Sequence, residues 1–387
     1  MINLKILFIS SSPLEYSSSS NMRNIALLKG FIENGHKIYT LTPTPQKDAA
    51  LYDQSICNLN IERRYYISLG KVHSKITVKK NKKSIIKNTI YKLVKNIKMY
   101  DMRSSLAAKE VNINEKFDII ISSSDPKSSH LIAEKLIKRN PSITSQWIQY
   151  WGDPFADDIN NKRFIPKFLL KKEEKRIISL CNIVLYVSPF TLEKQKKMYP
   201  IYSKKMFFLP IPYNNEKYYK SNNNNVLKIG YFGEYYSRNR NILPLHEAIK
   251  SEKDKQLIIC GNSDLKLEKN NNIHIYTRQP LEQIKKYEEE CDVLVCICNK
   301  NGTQIPGKIY HYSATNKPIL IILDGENYKE MKDYFDSYNR FIICKNNSKD
   351  ISKMLDNIKN EKKEYFPVKS LNSKEISKKL LNICKGE

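Results

Sequence analysis

Strand-length apolar runs alternate with amphipathic helical stretches along this chain, and the alternation starts afresh after an asparagine-rich segment near its middle. Such alternation calls for parallel sheets joined by crossover helices. In the first half it predicts strands over Lys5–Ser10, Lys37–Leu41, Ile119–Ser122, Gln146–Tyr150, Ile183–Val187 and Phe207–Pro212. Helices are expected over Asn21–Asn34, Ser129–Arg139 and Phe168–Leu180. Residues 213–225 are polar, close on four consecutive asparagines, and read as a linker. In the second half, strands are expected over Leu227–Phe232, Gln256–Cys260, Ile273–Tyr276, Asp292–Cys298, Pro318–Leu323 and Arg340–Cys344. Helices are expected over Leu243–Lys250, Leu281–Cys291 and Gly307–Thr315, with a further helix after Leu323. At 387 residues the chain exceeds one ordinary core. The expected division is an α/β domain over 1–212, the linker, a second over 226–370, and a final helix over 371–387 that returns to the first. Two doubly wound domains bind ligands outside the carboxyl ends of their strands, so a cleft facing both sheets is the expected site.

Composition excludes several classes. No apolar run approaches the roughly 20 residues that span a bilayer. The apolar start at Leu4–Ile9 runs into serines and reads as a first strand rather than a signal peptide, so a cytoplasmic protein is expected. The eight cysteines are scattered, and Cys296 and Cys298 share one side of an expected strand with no ligand cluster beside them, so neither zinc nor another metal is expected. No G-x-G-x-x-G follows the first strand and no acid ends the second, where Thr40, Leu41 and Thr42 stand, which argues against a dinucleotide oxidoreductase.

Sixty-six Lys and Arg against forty Asp and Glu leave a net charge of +26, which implies an anionic partner. Ten lysines and no acid fall between Lys71 and Lys98, with Ile85, Ile86, Ile90, Leu93, Val94 and Ile97 at helical spacing. A basic amphipathic helix of this kind reads as a membrane-surface element, the alternative being a helix packed on its own domain with solvated lysines. Nucleic acid is the weaker partner, because such sites interleave aromatics with basic residues and Tyr91 is the only aromatic in the stretch.

The segment Gln304–Leu320 carries the chemistry. Pro306 stands where a helix begins, Gly307 lets a ligand approach the backbone, and the unpaired N–H groups of the first turn favour anions such as a diphosphate, with Lys308 adding charge. Ser10–Ser20 is a serine-rich loop after the first strand, with Ser11 and Ser12 in it and Asn21 expected to cap the following helix. Asp153 sits in a constrained turn between Gly152 and Pro154. Trp147 reads as core, and Trp151 as a residue able to stack on a sugar.

The run Pro306-Gly-Lys-Ile-Tyr-x-Tyr-x-Ala-x-x-Lys-Pro-Ile-Leu320 resembles the donor site of GT-B-fold glycosyltransferases of family 4. Ile229–Gly233 followed by Arg240-Asn241 resembles the first strand and phosphate-facing loop of that family's donor lobe. Ser124–Leu131 resembles its Ser-Pro-Pro-x-Ser-x-His segment, and Trp151–Phe155 its Asp-Pro-aromatic segment. The resemblance spans roughly residues 4 to 345. It implies two Rossmann-like domains, the first for acceptor and the second for nucleotide sugar, which is a substrate, so no cofactor is expected. It also implies a retaining, metal-independent transfer to a lipid-linked or oligosaccharide acceptor in surface polysaccharide assembly, with Lys71–Lys98 holding the enzyme on the inner leaflet. Asp153, His130 and Arg240 are the implied catalytic residues. Gly233, Arg238, Arg240, Gln304, Pro306, Gly307, Lys308 and His311 are implied on the donor, and Ser11, Ser12, Trp151 and Asp153 on the acceptor. Glu234 is expected to point away from the phosphates. One departure stands out: His311 occupies the place of a glutamate that usually holds the donor's ribose, and an upstream glutamate is missing too. A silent subunit scaffolding a partner transferase is therefore the alternative.

Overall fold

The computed structural model describes residues 3–49, 51–69, 98–159, 164–220, 225–361 and 363–386. The basic stretch expected to be a membrane-surface helix lies, but for Lys98, outside the described residues. The chain divides into one unit of residues 1–210 with 376–387, and another of residues 211–375.

The first unit is built on seven parallel strands: β1 (Lys5–Ile9), β2 (Lys37–Pro43), β3 (Arg63–Ile67), β4 (Phe117–Ser123), β5 (Thr144–Trp151), β6 (Ile183–Tyr186) and β7 (Met206–Phe208). Their order is β3-β2-β1-β4-β5-β6-β7. Central strands such as β6, Ile-Val-Leu-Tyr, are buried at every position because helices cover both faces. The helices are α1 (Ser19–Glu33), α2 (Met102–Ala107), α3 (Ser128–Arg139), α4 (Lys167–Ser179) and α5 (Pro189–Met198).

The second unit has six parallel strands: β8 (Leu227–Phe232), β9 (Lys255–Cys260), β10 (Ile273–Tyr276), β11 (Val293–Ile297), β12 (Ile319–Leu323) and β13 (Ile342–Lys345). Their order is β10-β9-β8-β11-β12-β13. Its helices are α6 (Leu243–Lys250), α7 (Leu281–Glu290), α8 (Gly307–Tyr312), α9 (Tyr328–Asp336) and α10 (Ser348–Asn360). Both sheets are thus doubly wound α/β structures, as the alternating pattern required.

The last helix, α11 (Ser373–Lys385), buries Ile376, Leu380 and Leu381 on one stripe. It is tied to the first unit by Asn34 Nδ2 donating to Ser377 Oγ at 2.7 Å and Gln146 Nε2 donating to the Cys384 carbonyl at 3.3 Å. The segment read as a linker is not free at its start. Tyr213 is buried and donates its N–H to Leu371 O, Lys217 donates to Ala314 O, and Tyr219 donates to Asn316 Oδ1 at 2.8 Å, so residues 213–219 pack along the second unit.

Strand edges differ from expectation where composition misleads. β3, Arg-Arg-Tyr-Tyr-Ile, is an edge strand that turns only Tyr65 and Ile67 fully inward. The run expected as a strand over Phe207–Pro212 pairs only through Phe208, since the prolines end its ladder. In the second unit Gly261 allows two backbone segments to touch, because a Cβ there would run into the Gly233 carbonyl. Gly261→Ala is therefore expected to destabilise the chain by about 1–3 kcal/mol, read as a lowered unfolding midpoint; an unchanged midpoint would show that the 233 loop moves aside freely.

Candidate functional site

In the first unit β1, β4 and β5 are neighbours, so the residues just past their carboxyl ends gather at one sheet edge. The serine loop is pinned there: Ser11 donates its N–H to Ser129 Oγ at 2.9 Å, and Ser129 Oγ donates to Pro126 O at 2.7 Å. Ser12 donates its N–H to Ser10 Oγ at 3.1 Å. Ser18, not Asn21, caps α1 by accepting the Asn21 N–H. Asn21 lies inside the helix, and its side-chain amide ties the loop by donating to Pro13 O and Tyr16 O, each at 2.7 Å.

Arg23 projects from α1 into this edge and is buried. Its guanidinium donates to Ser123 Oγ at 3.1 Å and to the Ser124 carbonyl, and lies 4.7 Å over the Tyr150 ring. Gly152 makes room for it, since a Cβ at 152 would strike the guanidinium. Sequence reasoning passed over Arg23. The available signal was a lone arginine in an otherwise uncharged first half of a helix.

Beyond these groups lies a cluster of three carboxyls around one buried ammonium. Lys127 Nζ donates to Asp125 Oδ1 at 2.7 Å and to Asp158 Oδ2 at 3.0 Å. Burial alone would lower the Lys127 pKa, but Asp125 and Asp158 raise it above the usual lysine range. Asp153 is pushed up to about 7, by burial first and then by the charges of Asp125 and Asp158. Burial also pushes Asp125 up, yet Lys127, Arg23 and a hydrogen bond with Asp153 outweigh it and hold Asp125 below the usual carboxylate range. The two aspartates thus share one proton near neutrality, as adjacent carboxyls do. The turn that carries Asp153 is fastened by buried Glu174, which accepts from the N–H of Phe155 at 2.6 Å and of Ala156 at 3.3 Å and from Tyr199 Oη at 2.9 Å.

His130 and Trp151 correct the expectation that they meet a ligand. Both are fully buried, with ring centroids 4.3 Å apart. Trp151 Nε1 donates to Gln149 Oε1 at 3.2 Å, so this tryptophan belongs to the core, as Trp147 does. The Ser122 hydroxyl lies 2.8 Å from His130 Nδ1 and accepts from Trp147 Nε1 at 2.9 Å. Burial lowers the His130 pKa to about 3, so the imidazole is neutral and props the start of α3. His130 Nε2 is buried without a hydrogen-bond partner.

In the second unit β8 and β11 are neighbours, and the loops that follow them are stitched together. Arg240 Nε donates to Asn299 Oδ1 at 2.8 Å, Asn299 Nδ2 donates to Gln304 O at 2.9 Å, and Lys300 N donates to Asn239 O at 2.7 Å. Pro306 precedes α8 as its cap residue, one position earlier than expected, and Gly307 opens the helix. The Lys308 ammonium lies 5.8 Å from the Phe232 ring and 5.3 Å from the Tyr312 ring, and 3.8 Å from Glu288 Oε1. Burial lowers its pKa, with Glu288 opposing. Three polar atoms here are buried without a hydrogen-bond partner: both ends of the Gln304 amide and His311 Nε2. His311 is neutral, its pKa lowered to about 4 by burial and then by Lys308 and Lys217. A Cβ at Gly233 or Gly307 would meet only ordinary contacts, so neither glycine is required by its packing. Arg238 is exposed and lies near Asp264, whose carboxylate is held below its usual range first by hydrogen bonds from Ser237 and last by the Arg238 charge. Glu234 is exposed.

No protein-family model and no curated protein sequence matches the chain. Solved structures do. A Staphylococcus aureus TarM variant in complex with fondaparinux, α-GlcNAc-glycerol and UDP is similar at 12% identity and TM-score 0.56, over 100% of this chain and 97% of that one. The catalytic domain of starch synthase IV from Arabidopsis thaliana bound to ADP and acarbose is similar at 9% identity and TM-score 0.53, over 100% and 99%. UDP-GlcNAc 2-epimerase from Methanocaldococcus jannaschii is similar at 10% identity and TM-score 0.53, over 100% of both chains. These likenesses establish the class of fold: two Rossmann-like units of the GT-B type, running the full length of the chain.

The buried imidazole of His130 makes stability depend on acid. Its folded pKa of about 3 lies below the ordinary histidine value of 6.5, so as pH falls below 6.5 the unfolded chain gains a proton that the folded one refuses. Wild type is thus expected to lose roughly 2 kcal/mol more than His130→Phe between pH 6.5 and pH 5, measured by denaturant unfolding at both pH values. Parallel losses would show that His130 takes up its proton in the folded state.

Proposed function

We propose that this chain is a retaining, metal-independent glycosyltransferase that takes a sugar from a nucleotide-sugar donor. One observation carries the reading. The second unit gathers a guanidinium fixed by Asn299, an ammonium at Lys308, and two polar side chains, buried Gln304 and half-buried His311, with buried unpartnered atoms. Cations suit a diphosphate, and uncharged hydrogen-bonding groups suit sugar or ribose hydroxyls. The UDP and ADP named with two of the similar structures support a nucleotide ligand for this fold.

In this reading the anomeric C–O bond to the diphosphate breaks while a bond from the acceptor hydroxyl oxygen forms on the same face of the sugar. The acceptor proton passes to the departing diphosphate, whose growing charge Arg240 and Lys308 offset. The first unit takes the acceptor, with Asp153 and Asp125 accepting hydrogen bonds from its hydroxyls near Ser11 and Ser12. The acceptor is lipid-linked or an oligosaccharide in surface polysaccharide assembly. The enzyme is peripheral on the inner face of the membrane, with Lys71–Lys98 against anionic lipid.

The fold likeness to UDP-GlcNAc 2-epimerases favours a second reading, in which the same donor site acts with no acceptor. A panel of UDP-, GDP- and dTDP-sugars, with products resolved by mass and NMR, separates the two: transfer or slow hydrolysis supports the first, and a C2 epimer supports the second. Binding without turnover identifies a silent subunit. Against the donor that is turned over, Arg240→Ala is expected to lower kcat by about 10²–10³. His311→Ala is expected to weaken donor affinity by roughly fivefold to tenfold with the fold intact. Unchanged kinetics in both variants would remove the second-unit cluster from the reaction.

A further inference from the structure

In the first unit α2, α4 and the segment leading into α4 carry large apolar side chains that no other described residue covers. Phe164 is 73% exposed, Phe168 68% and Leu106 52%. Along α4, Phe168, Lys172 and Arg176 recur every four residues and so share one stripe, with exposed Lys171 and Lys175 beside it. Arg176 at the end of that stripe reaches Glu134 of α3, Nη1 to Oε1 at 2.9 Å, which sets the stripe alongside α3. On α3 and the turn after α2, Lys109, Lys135, Lys138 and Arg139 line a cavity of about 360 Å³ with Ala108 and Leu136. Burial lowers the Lys135 pKa, and the neighbouring Lys109 charge lowers it further. Two of the acids of this surface serve partners within it: Glu134 accepts from Lys138 and Arg176, and Glu173 accepts from Arg176 and from Tyr100 Oη at 3.0 Å, while Glu110 beside Lys109 is exposed.

We infer that this surface docks on an anionic lipid bilayer. Exposed aromatics flanked by lysines suit the boundary between headgroups and acyl chains, where the rings enter and the ammonium groups meet lipid phosphate. A protein partner fits less well, because the core of a protein interface is depleted of lysine, whereas here the apolar side chains stand among cations. Phe164 and Phe168 are the apolar anchors, Lys171 and Lys172 the charges beside them, and the cavity lined by Lys109 and Lys135 takes an anionic headgroup. The inference rests on none of the donor-site chemistry.

The test is sedimentation of the full chain with vesicles of phosphatidylcholine containing phosphatidylglycerol, against phosphatidylcholine alone and against free glycerophosphate as competitor. Wild type is expected to partition onto the anionic vesicles only. Lys171→Gln with Lys172→Gln should lower the partition coefficient by roughly thirtyfold, and Phe164→Ser with Phe168→Ser by tenfold or more. All four positions are exposed, so circular dichroism and unfolding midpoints should match wild type. Because both native tryptophans are buried, Phe168→Trp supplies a surface reporter whose emission should shift to the blue on anionic vesicles alone. Equal binding of the variants and wild type, loss only on neutralising lysines between Lys79 and Lys95, or full displacement by glycerophosphate would each overturn the inference. So would a self-association that Phe168→Ser abolishes without any vesicle binding.

Discussion

The guanidinium of Arg23 sits where three parallel strands of the first unit end, and it takes on a problem that every such edge poses. Strands β1, β4 and β5 leave the sheet side by side, and the first carbonyls beyond them have no ladder partner in an interior that excludes water. Arg23 donates to Ser123 Oγ and the Ser124 carbonyl, and covers the face of Tyr150. Planar and always charged, it meets several acceptors at once in a way lysine does not. A Cβ at 152 would meet this guanidinium, and the turn after Gly152 places Asp153 against Asp125. The carboxyl pair is a consequence of how that edge is sealed.

The second unit seals comparable ends with other cations. Lys317 Nζ donates to the carbonyls of Glu288 at 2.8 Å, Glu289 at 2.6 Å and Cys291, closing the end of α7. Arg340 donates to Thr315 O at 2.8 Å, Lys317 O at 2.7 Å and Phe366 O at 2.8 Å. The lysine of the Lys-Pro pair, part of the pattern that marked this region in the sequence, thus serves backbone carbonyls. Lys308, nine residues earlier, faces one carboxylate and two aromatic rings and is partly exposed. Two lysines of one motif therefore do different work, and only their surroundings distinguish them.

The fold was legible because helix and strand periods alternate cleanly where both sheet faces are buried. Strands β8 and β10 and helix α6 have the bounds their patterns marked. Legibility failed where burial is one-sided or a helix is polar. β3 shows charge at two of five positions, and α5 carries few apolar residues between its caps. In the site, residues adjacent in a motif could be named from sequence, as with Asp153, Gln304 and Lys308. Arg23, Asn299 and Glu174 were missed because each meets a partner far along the chain, Arg23 with Ser123, Asn299 with Arg240 and Glu174 with Phe155. Distance along the chain hides such groups, and nothing local distinguishes a buried arginine from a solvated one.

Burial also separates the two histidines that sequence alone places on equal footing. Each is held neutral by desolvation, His130 with a pKa of about 3 and His311 of about 4. His130 is enclosed by Trp151 and tied to Ser122, so its neutrality belongs to the core. His311 is only partly buried and stands on a short helix beside Lys308; Nε2 is buried without a partner in both rings, so exposure and the neighbouring ammonium are what distinguish it. A carboxylate there would attract Lys308 and draw the ammonium away from any incoming anion. A neutral imidazole leaves that charge directed at the ligand and offers one hydrogen bond, donated or accepted according to its tautomer. In the proposed reading, where the resemblance puts a glutamate at this position, histidine at 311 would exchange a two-oxygen grip on a diol for a stronger local positive field, favouring the diphosphate end of a ligand over its ribose.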